Sequence, residues 1–190
     1  MKPQTNKGVV AAGDRLTAAA GAEVLNQGGS AVDAAIAAMS TAFIAEPALT
    51  GPLGGGFAVV AGPGGDAQAY HFFARAPRAT SPTPSAELDF QGLQVDFGST
   101  QQIFHAGRGS TAVPLLLEGL KTLHKDHGCL ALSDVLSQCR LSASHGIPLS
   151  RGQLHFIEVL TPILSLTDTA KKTYIDELRE FGQISLPGLV

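Results

Sequence analysis

The sequence predicts an α+β fold, because its strand-like runs fall mainly in the first half of the chain and its helical runs in the second. A further observation is an Ala-rich helical run, residues 31–45, followed by Gly54-Gly55-Gly56 and an apolar strand-like run. Small side chains on every face of a helix let neighbouring backbones approach closely, as they do inside a layered fold. The hydrophobic content of 44% is enough for a sizeable core.

The first elements are predicted from local end signals. Val9–Ala12 has the pattern of a strand, and Asp14 is placed to cap a helix over Leu16–Gln27. Gly28-Gly29 ends that helix because glycine accepts the backbone angles of a helix C-terminus.

A second helix begins with a Ser-x-x-Asp pattern. Ser30 and Asp33 are spaced as a capping box, in which the hydroxyl and the carboxylate each accept a hydrogen bond from a backbone amide that the helix leaves free. This helix is predicted to run to about Glu46, because Pro47 follows.

The next part of the chain is predicted to form a hairpin and then an irregular connection. Phe57–Ala61 reads as a buried strand, residues 62–66 as a turn, and Ala67–Arg75 as the returning strand. From residue 77 to residue 110 three prolines occur and no period is sustained, which predicts little regular structure.

The remainder of the chain is predicted to be helical. Pro114, Ser133 and Ser150 stand near helix starts, and Gly128 and Gly146 stand at helix ends. The predicted helices are residues 115–127, 134–145, 153–164 and 169–181.

Charge and hydropathy exclude two classes of partner. The net charge is −3, and the longest basic run is Lys171-Lys172, so nucleic-acid binding has no electrostatic support. No apolar run reaches the ~18–20 residues that a membrane span requires. The polar start, Met1–Lys7, lacks the apolar core of a signal peptide. The sequence as written therefore predicts a cytoplasmic protein, or a periplasmic or secreted one if a signal has been removed.

Candidate chemical motifs are weak when each is considered alone. The Gly54-Gly55-Gly56 loop enters a strand, whereas phosphate-binding loops lie at a helix N-terminus. His124 and His127 have the spacing of half a metal site, but a solvated helix end explains them more simply. We therefore predict neither a metal nor a cofactor.

Several short motifs follow one another along the chain in a specific order. They are Gly8-Val9-Val10-Ala11, Gly28-Gly29-Ser30-Ala31-Val32-Asp33-Ala34-Ala35, Glu46-Pro47, Gly51-Pro52-Leu53-Gly54-Gly55-Gly56-Phe57, Ala76-Pro77, Val113-Pro114, Gly146-Ile147-Pro148-Leu149 and Ile184-Ser185-Leu186-Pro187-Gly188-Leu189. In this order and spacing they resemble the N-terminal part of the large subunit of the γ-glutamyltranspeptidase family. The resemblance extends nearly from end to end.

The resemblance implies an N-terminal-nucleophile (Ntn) hydrolase with an αββα sandwich, of which this chain would supply a few strands and most of the large-subunit helices. In that family the precursor cuts itself and exposes a threonine at the N-terminus of a small subunit. The threonine attacks a γ-glutamyl amide, and its own α-amine accepts the hydroxyl proton. The family's threonine lies later than the segment matched here. The resemblance therefore implies no catalytic residue in this chain, which is predicted to be inactive alone.

The implied partners are the remainder of the large subunit, the small subunit that carries the threonine, and a small-molecule amide substrate. The implied organisation is one incomplete N-terminal portion of a large subunit. Residues 1–76 would form the sheet and Ala-rich helices, residues 77–110 an irregular connection, and residues 111–190 a helical segment. A non-catalytic binding or assembly module that keeps the fold remains the alternative.

The segment before Ala76-Pro77 departs from the family pattern. The family carries Asp-Phe-Arg-Glu-Thr-Ala-Pro there, and its arginine holds the α-carboxylate of the γ-glutamyl group. In this chain Phe73 occupies the arginine position and Ala74 the glutamate position. An aromatic ring cannot make the bidentate contact of a guanidinium with a carboxylate, which costs about 1.5–3 kcal/mol in a partly buried site.

Phe73 and Arg75 are accordingly the predicted substrate-binding residues. Arg75 lies two positions after Phe73, on the same face of the predicted strand, and an altered backbone would bring its side chain to the pocket. Alternatively the pocket is apolar and the enzyme is an acylase for substrates without that carboxylate. We favour the apolar pocket, because replacing one residue needs no backbone rearrangement. The remaining interpretation is that Phe73 is a core residue and Arg75 a surface residue.

Overall fold

The computed structural model describes residues 8–78, 88–176 and 183–184, and it confirms the predicted α+β class. Residue contacts divide the chain into two compact units, one of residues 1–73, 114–147 and 184–190, the other of residues 74–113 and 148–183. The elements in chain order are α1 (Arg15–Asn26), α2 (Ala31–Ala45), β1 (Gly56–Ala61), β2 (Ala67–Phe72), β3 (Gln91–Asp96), β4 (Gln101–Ala106), α3 (Leu116–His127), α4 (Leu132–Val135), α5 (Ser137–His145), β5 (Ile147–Pro148), α6 (Arg151–Val159), α7 (Thr161–Leu164), α8 (Asp168–Lys171) and β6 (Gln183–Ile184).

The N-terminal caps of α1 and α2 are those that the sequence predicts. Asp14 Oδ1 accepts a hydrogen bond of 2.7 Å from the amide of Leu16. Ser30 Oγ accepts one of 3.0 Å from the amide of Asp33, and Asp33 Oδ2 accepts one of 2.9 Å from the amide of Ser30. Both capping interactions are therefore confirmed, and they fix where these two helices begin.

Helices α1 and α2 pack tightly against each other in the first unit. A Cβ atom at Gly21 of α1 would lie 2.9 Å from the carbonyl oxygen of Ala34 in α2. Glycine is therefore needed for this close approach of the two backbones. The core beside it includes Val24, Ile36 and Ala37, which are almost fully buried. The Ala-rich sequence of α2 thus gives the close helix packing that it predicts.

Strands β1 and β2 form an antiparallel hairpin in the same unit, with Gly56 opposite Phe72 and Ala61 opposite Ala67. One face of the hairpin, which we call the inner face, packs against α3. Phe72 lies on this face and is only 8% exposed, and a Cβ at Gly119 of α3 would overlap its ring. The opposite face, which we call the outer face, carries Phe57 and Val59, and both are largely exposed.

The second unit contains the β3–β4 hairpin and helices α6 to α8. Val95 of β3 is fully buried, and α7 packs against this strand. Asp89 Oδ2 accepts hydrogen bonds from the amide of Arg108 at 3.1 Å and from its Nε at 3.3 Å. The backbone bond, the side-chain bond and the charge of Arg108 together hold the pKa of Asp89 below its ordinary value. This contact joins the two ends of the hairpin.

The structure corrects the predicted connection at residues 77–110. Residues 91–106 form the β3–β4 hairpin, so the expectation of little regular structure is wrong there. The strands contain several glutamines and few β-branched residues, which weakens their pattern in the sequence. The two strands form because they pair with each other: all six residues of β3 have a partner in β4. Residues 79–87 of the predicted connection lie outside the described residues.

Other boundaries also differ from the predictions. Residues 9–12 are not a strand, since no described strand pairs with them. The predicted helix 134–145 is divided into α4 and α5, and the predicted helix 153–164 into α6 and α7. The predicted helix 169–181 is α8 followed by a π-helical turn at Lys172–Asp176, and residues 177–181 lie outside the described residues.

Candidate aromatic site on the outer face of the hairpin

Phe73 lies directly after β2, with its ring on the outer face of the β1–β2 hairpin. The ring stacks on that of Phe57, with centroids 5.4 Å apart and planes 18° from parallel. Phe57 also contacts the ring of His71, with centroids 4.8 Å apart. Phe73 is 52% exposed to solvent, and Phe57 is 65% exposed. We call these three residues the aromatic cluster.

The pleat of the hairpin explains why these rings meet. Phe57 is directly opposite His71 in the register, so both side chains lie on one face. Phe72 points to the inner face, and Phe73, the next residue, returns to the outer face. The centroid distances are within the 4.5–7 Å range of aromatic pairs. Strand alternation therefore brings a residue of β1 beside the predicted substrate residue.

Arg75 has a different environment from the one that the sequence predicts. Its amide donates a hydrogen bond of 3.1 Å to the carbonyl of Val113, and its carbonyl accepts one of 2.7 Å from the amide of Val113. Strand β2 ends at Phe72, so the prediction of a strand continuing to Arg75 is wrong. Phe72 pairs with Gly56, the first residue of β1, and no partner in β1 remains for the residues that follow. Phe73 and Arg75 both follow the end of β2, so they do not share a face of that strand as the sequence predicts.

The glycine loop before β1 connects the hairpin to α3. The carbonyl of Gly54 accepts hydrogen bonds from the amides of Leu115 and Leu116, at 3.3 and 3.2 Å. These amides begin α3, where a helix leaves its first donors unpaired. The loop thus fixes the start of β1, and with it the position of Phe57.

Asp33 anchors the helical layer beneath the hairpin. Its carboxylate is fully buried, and Oδ2 accepts hydrogen bonds from the amides of Cys129 at 2.8 Å and Leu130 at 3.2 Å, besides its bond with Ser30. Burial raises the pKa of this carboxyl, but the backbone hydrogen bonds outweigh burial and leave the pKa below its ordinary value. Asp33 is therefore a structural carboxylate that ties α2 to the loop after α3.

His124 and His127, considered above as half a metal site, have separate partners. His124 Nε2 lies 2.9 Å from the carbonyl oxygen of Leu130. His127 Nε2 lies 2.7 Å from the hydroxyl of Tyr70, and that hydroxyl donates to Asp126 Oδ2 at 3.1 Å. Burial, followed by the hydrogen bond and the charge of Asp126, raises the pKa of Tyr70. The two contacts of the Tyr70 hydroxyl join the inner face of β2 to the end of α3.

A further concave surface lies away from the aromatic cluster. A groove of about 530 Å³ lies between residues 9–13, α1 and α2, and its lining is mostly apolar. Thr17 donates a hydrogen bond of 3.0 Å to Glu46 Oε1 at this groove. Within residues 8–78, 88–176 and 183–184, no group of three His, Cys, Asp or Glu residues is arranged to hold a metal ion. None of the helices described there is long and apolar enough to cross a bilayer.

Comparison with known families identifies the chain. The sequence pattern of the family described as gamma-glutamyltranspeptidase matches residues 17–186. The chain belongs to the γ-glutamyltranspeptidase family. Its α+β architecture is of the Ntn-hydrolase type that the resemblance implied.

Curated relatives and a solved structure agree with this assignment. The Acylase ACY 1 proenzyme of Pseudomonas sp. (strain V22) is 32% identical over 173 residues, which are 89% of this chain and 29% of that relative. Glutathione hydrolase 2 of Arabidopsis thaliana is 31% identical over 144 residues, 76% of this chain and 23% of that relative. The γ-glutamyltranspeptidase of Helicobacter pylori has the same fold, with a TM-score of 0.72 and 24% identity over 87% of this chain and 46% of that one. This γ-glutamyltranspeptidase-family chain spans less than a third of the length of its curated relatives.

Sequence reasoning missed Phe57 as a neighbour of Phe73 in this γ-glutamyltranspeptidase-family chain. The signal was present, because the predicted hairpin has a five-residue turn that places Phe57 opposite His71. Sequence reasoning also missed the contact of Tyr70 with Asp126 and His127. No local sequence pattern indicates that contact, since Asp126 and His127 lie 56 and 57 positions after Tyr70.

Proposed function

We propose that this chain is part of an Ntn hydrolase or acyltransferase that acts on γ-glutamyl or related amide bonds. The observation that carries the proposal is the match of residues 17–186 to the γ-glutamyltranspeptidase family. By the resemblance, Phe73 stands where that family has its carboxylate-binding arginine. Membership of the family supplies the reaction type. The chain's own contribution is a substrate-binding surface at the end of β2.

The nucleophile in this proposal is a threonine that lies outside these 190 residues. Its hydroxyl adds to the amide carbonyl, while its α-amine takes the proton and then delivers it to the leaving amine. Water or an acceptor amine afterwards releases the acyl group. The chain would therefore act together with the remainder of a large subunit and with a small subunit. The relatives described as proenzymes support this arrangement.

The outer face of the β1–β2 hairpin supports the need for a further layer of structure. Val59 is 72% exposed on this face, and its paired neighbour is Ala69. An apolar sheet face is normally packed against another layer. A second sheet over Val59 and Ala69 would complete the sandwich and leave the aromatic cluster at its edge.

Phe73 favours an acyl group without the α-carboxylate of glutamate. Neither β1 nor β2 contains Lys or Arg, so no cation in either strand replaces the missing guanidinium. Arg75 is exposed, and its backbone is paired with that of Val113. The name of the Pseudomonas relative, an acylase, is consistent with this preference.

The first test compares the chain alone with the chain supplied with the residues encoded after Val190. Each preparation is incubated with γ-glutamyl p-nitroanilide and with simple acyl p-nitroanilides. We expect no nitroaniline above the buffer background from the chain alone and turnover from the longer protein. Turnover by the chain alone would refute the proposal that the nucleophile lies elsewhere, and no turnover by either would favour the non-catalytic module.

The second test restores the arginine. In the active longer protein, Phe73→Arg should raise the ratio of γ-glutamyl to acyl turnover by about 10-fold or more, the equivalent of one charge-assisted contact. Phe73→Leu is the matched control, because it removes the ring without adding a charge. A ratio that stays the same in Phe73→Arg would show that Phe73 does not contact the acyl group.

A further inference from the structure

We draw no further inference here: the strongest candidate, the mostly apolar groove between residues 9–13, α1 and α2, is an open apolar face, and nothing in the described part of the chain shows what covers it.

Discussion

The two faces of the β1–β2 hairpin are both largely apolar but have opposite environments. The inner face is covered by α3, with Phe72 8% exposed, whereas the outer face leaves Phe57 65% exposed. Strand alternation separates the two sets of side chains, so α3 packs on one face while no described residue covers Phe57 and Val59 on the other to the same degree. Phe72 and Phe73 are neighbours of the same residue type, and only their exposure to solvent distinguishes the core residue from the candidate substrate contact.

The largest expected difference between the two faces is in stability. Phe72→Ala should lower the free energy of unfolding of the 190-residue chain by about 3–5 kcal/mol, because it opens a cavity against α3. Phe57→Ala, the matched change on the outer face, should cost less than about 1 kcal/mol. Urea denaturation followed by circular dichroism measures both values. Equal losses in the two variants would contradict the division into a packing face and an exposed face.

A smaller effect is expected beneath the inner face, at Asp33. Asp33→Asn keeps the size of the side chain but weakens the hydrogen bonds from the amides of Cys129 and Leu130, so it should cost about 1.5–3 kcal/mol at pH 7. Ser30→Ala, which removes only the reciprocal capping bond, is expected to cost about 1 kcal/mol. A neutral effect of Asp33→Asn would show that the carboxylate is not an anchor.

The contribution of Asp33 should also depend on pH. Because its pKa in the folded chain is below the ordinary value of about 4, the ionised carboxylate stabilises the fold fully above that value. The contribution is lost as the pH falls from about 4 through the lower folded-state pKa. The difference in unfolding free energy between the original chain and Asp33→Asn should therefore shrink below pH 4. A difference that grows on acidification would reverse the assigned direction.

The smallest expected effect is at the edge of the inner face. Tyr70→Phe removes the hydroxyl that contacts Asp126 and His127, and it should cost about 0.5–1.5 kcal/mol because the ring packing remains. Thermal unfolding of the variant measures this loss. His127→Gln is the conservative comparison, because a glutamine side chain can still hydrogen-bond the Tyr70 hydroxyl. It should lower the free energy of unfolding by less than Tyr70→Phe does. A loss as large as that of Phe72→Ala would mean that this contact, rather than ring burial, holds the hairpin on α3.

Local sequence signals predicted much of the first half of the chain. Asp14 and the Ser30–Asp33 pair placed the starts of α1 and α2, because capping bonds join residues only two or three positions apart. Such signals failed for the β3–β4 hairpin, where Gln94 and Gln101 give little strand propensity and pairing decides the conformation. They also failed at Arg75, whose backbone partner is the distant Val113.

The sequence by itself determined the family, the α+β class and the two capped helices, because these depend on motif order and on neighbours along the chain. Only the tertiary structure decided which face of the hairpin is covered, and that Phe57 stacks on Phe73. It also decided that Asp33 reaches the amides of Cys129 and Leu130, 96 and 97 residues away. The physical reason is that burial and pairing between distant segments depend on how the chain folds back on itself, which local propensity does not encode.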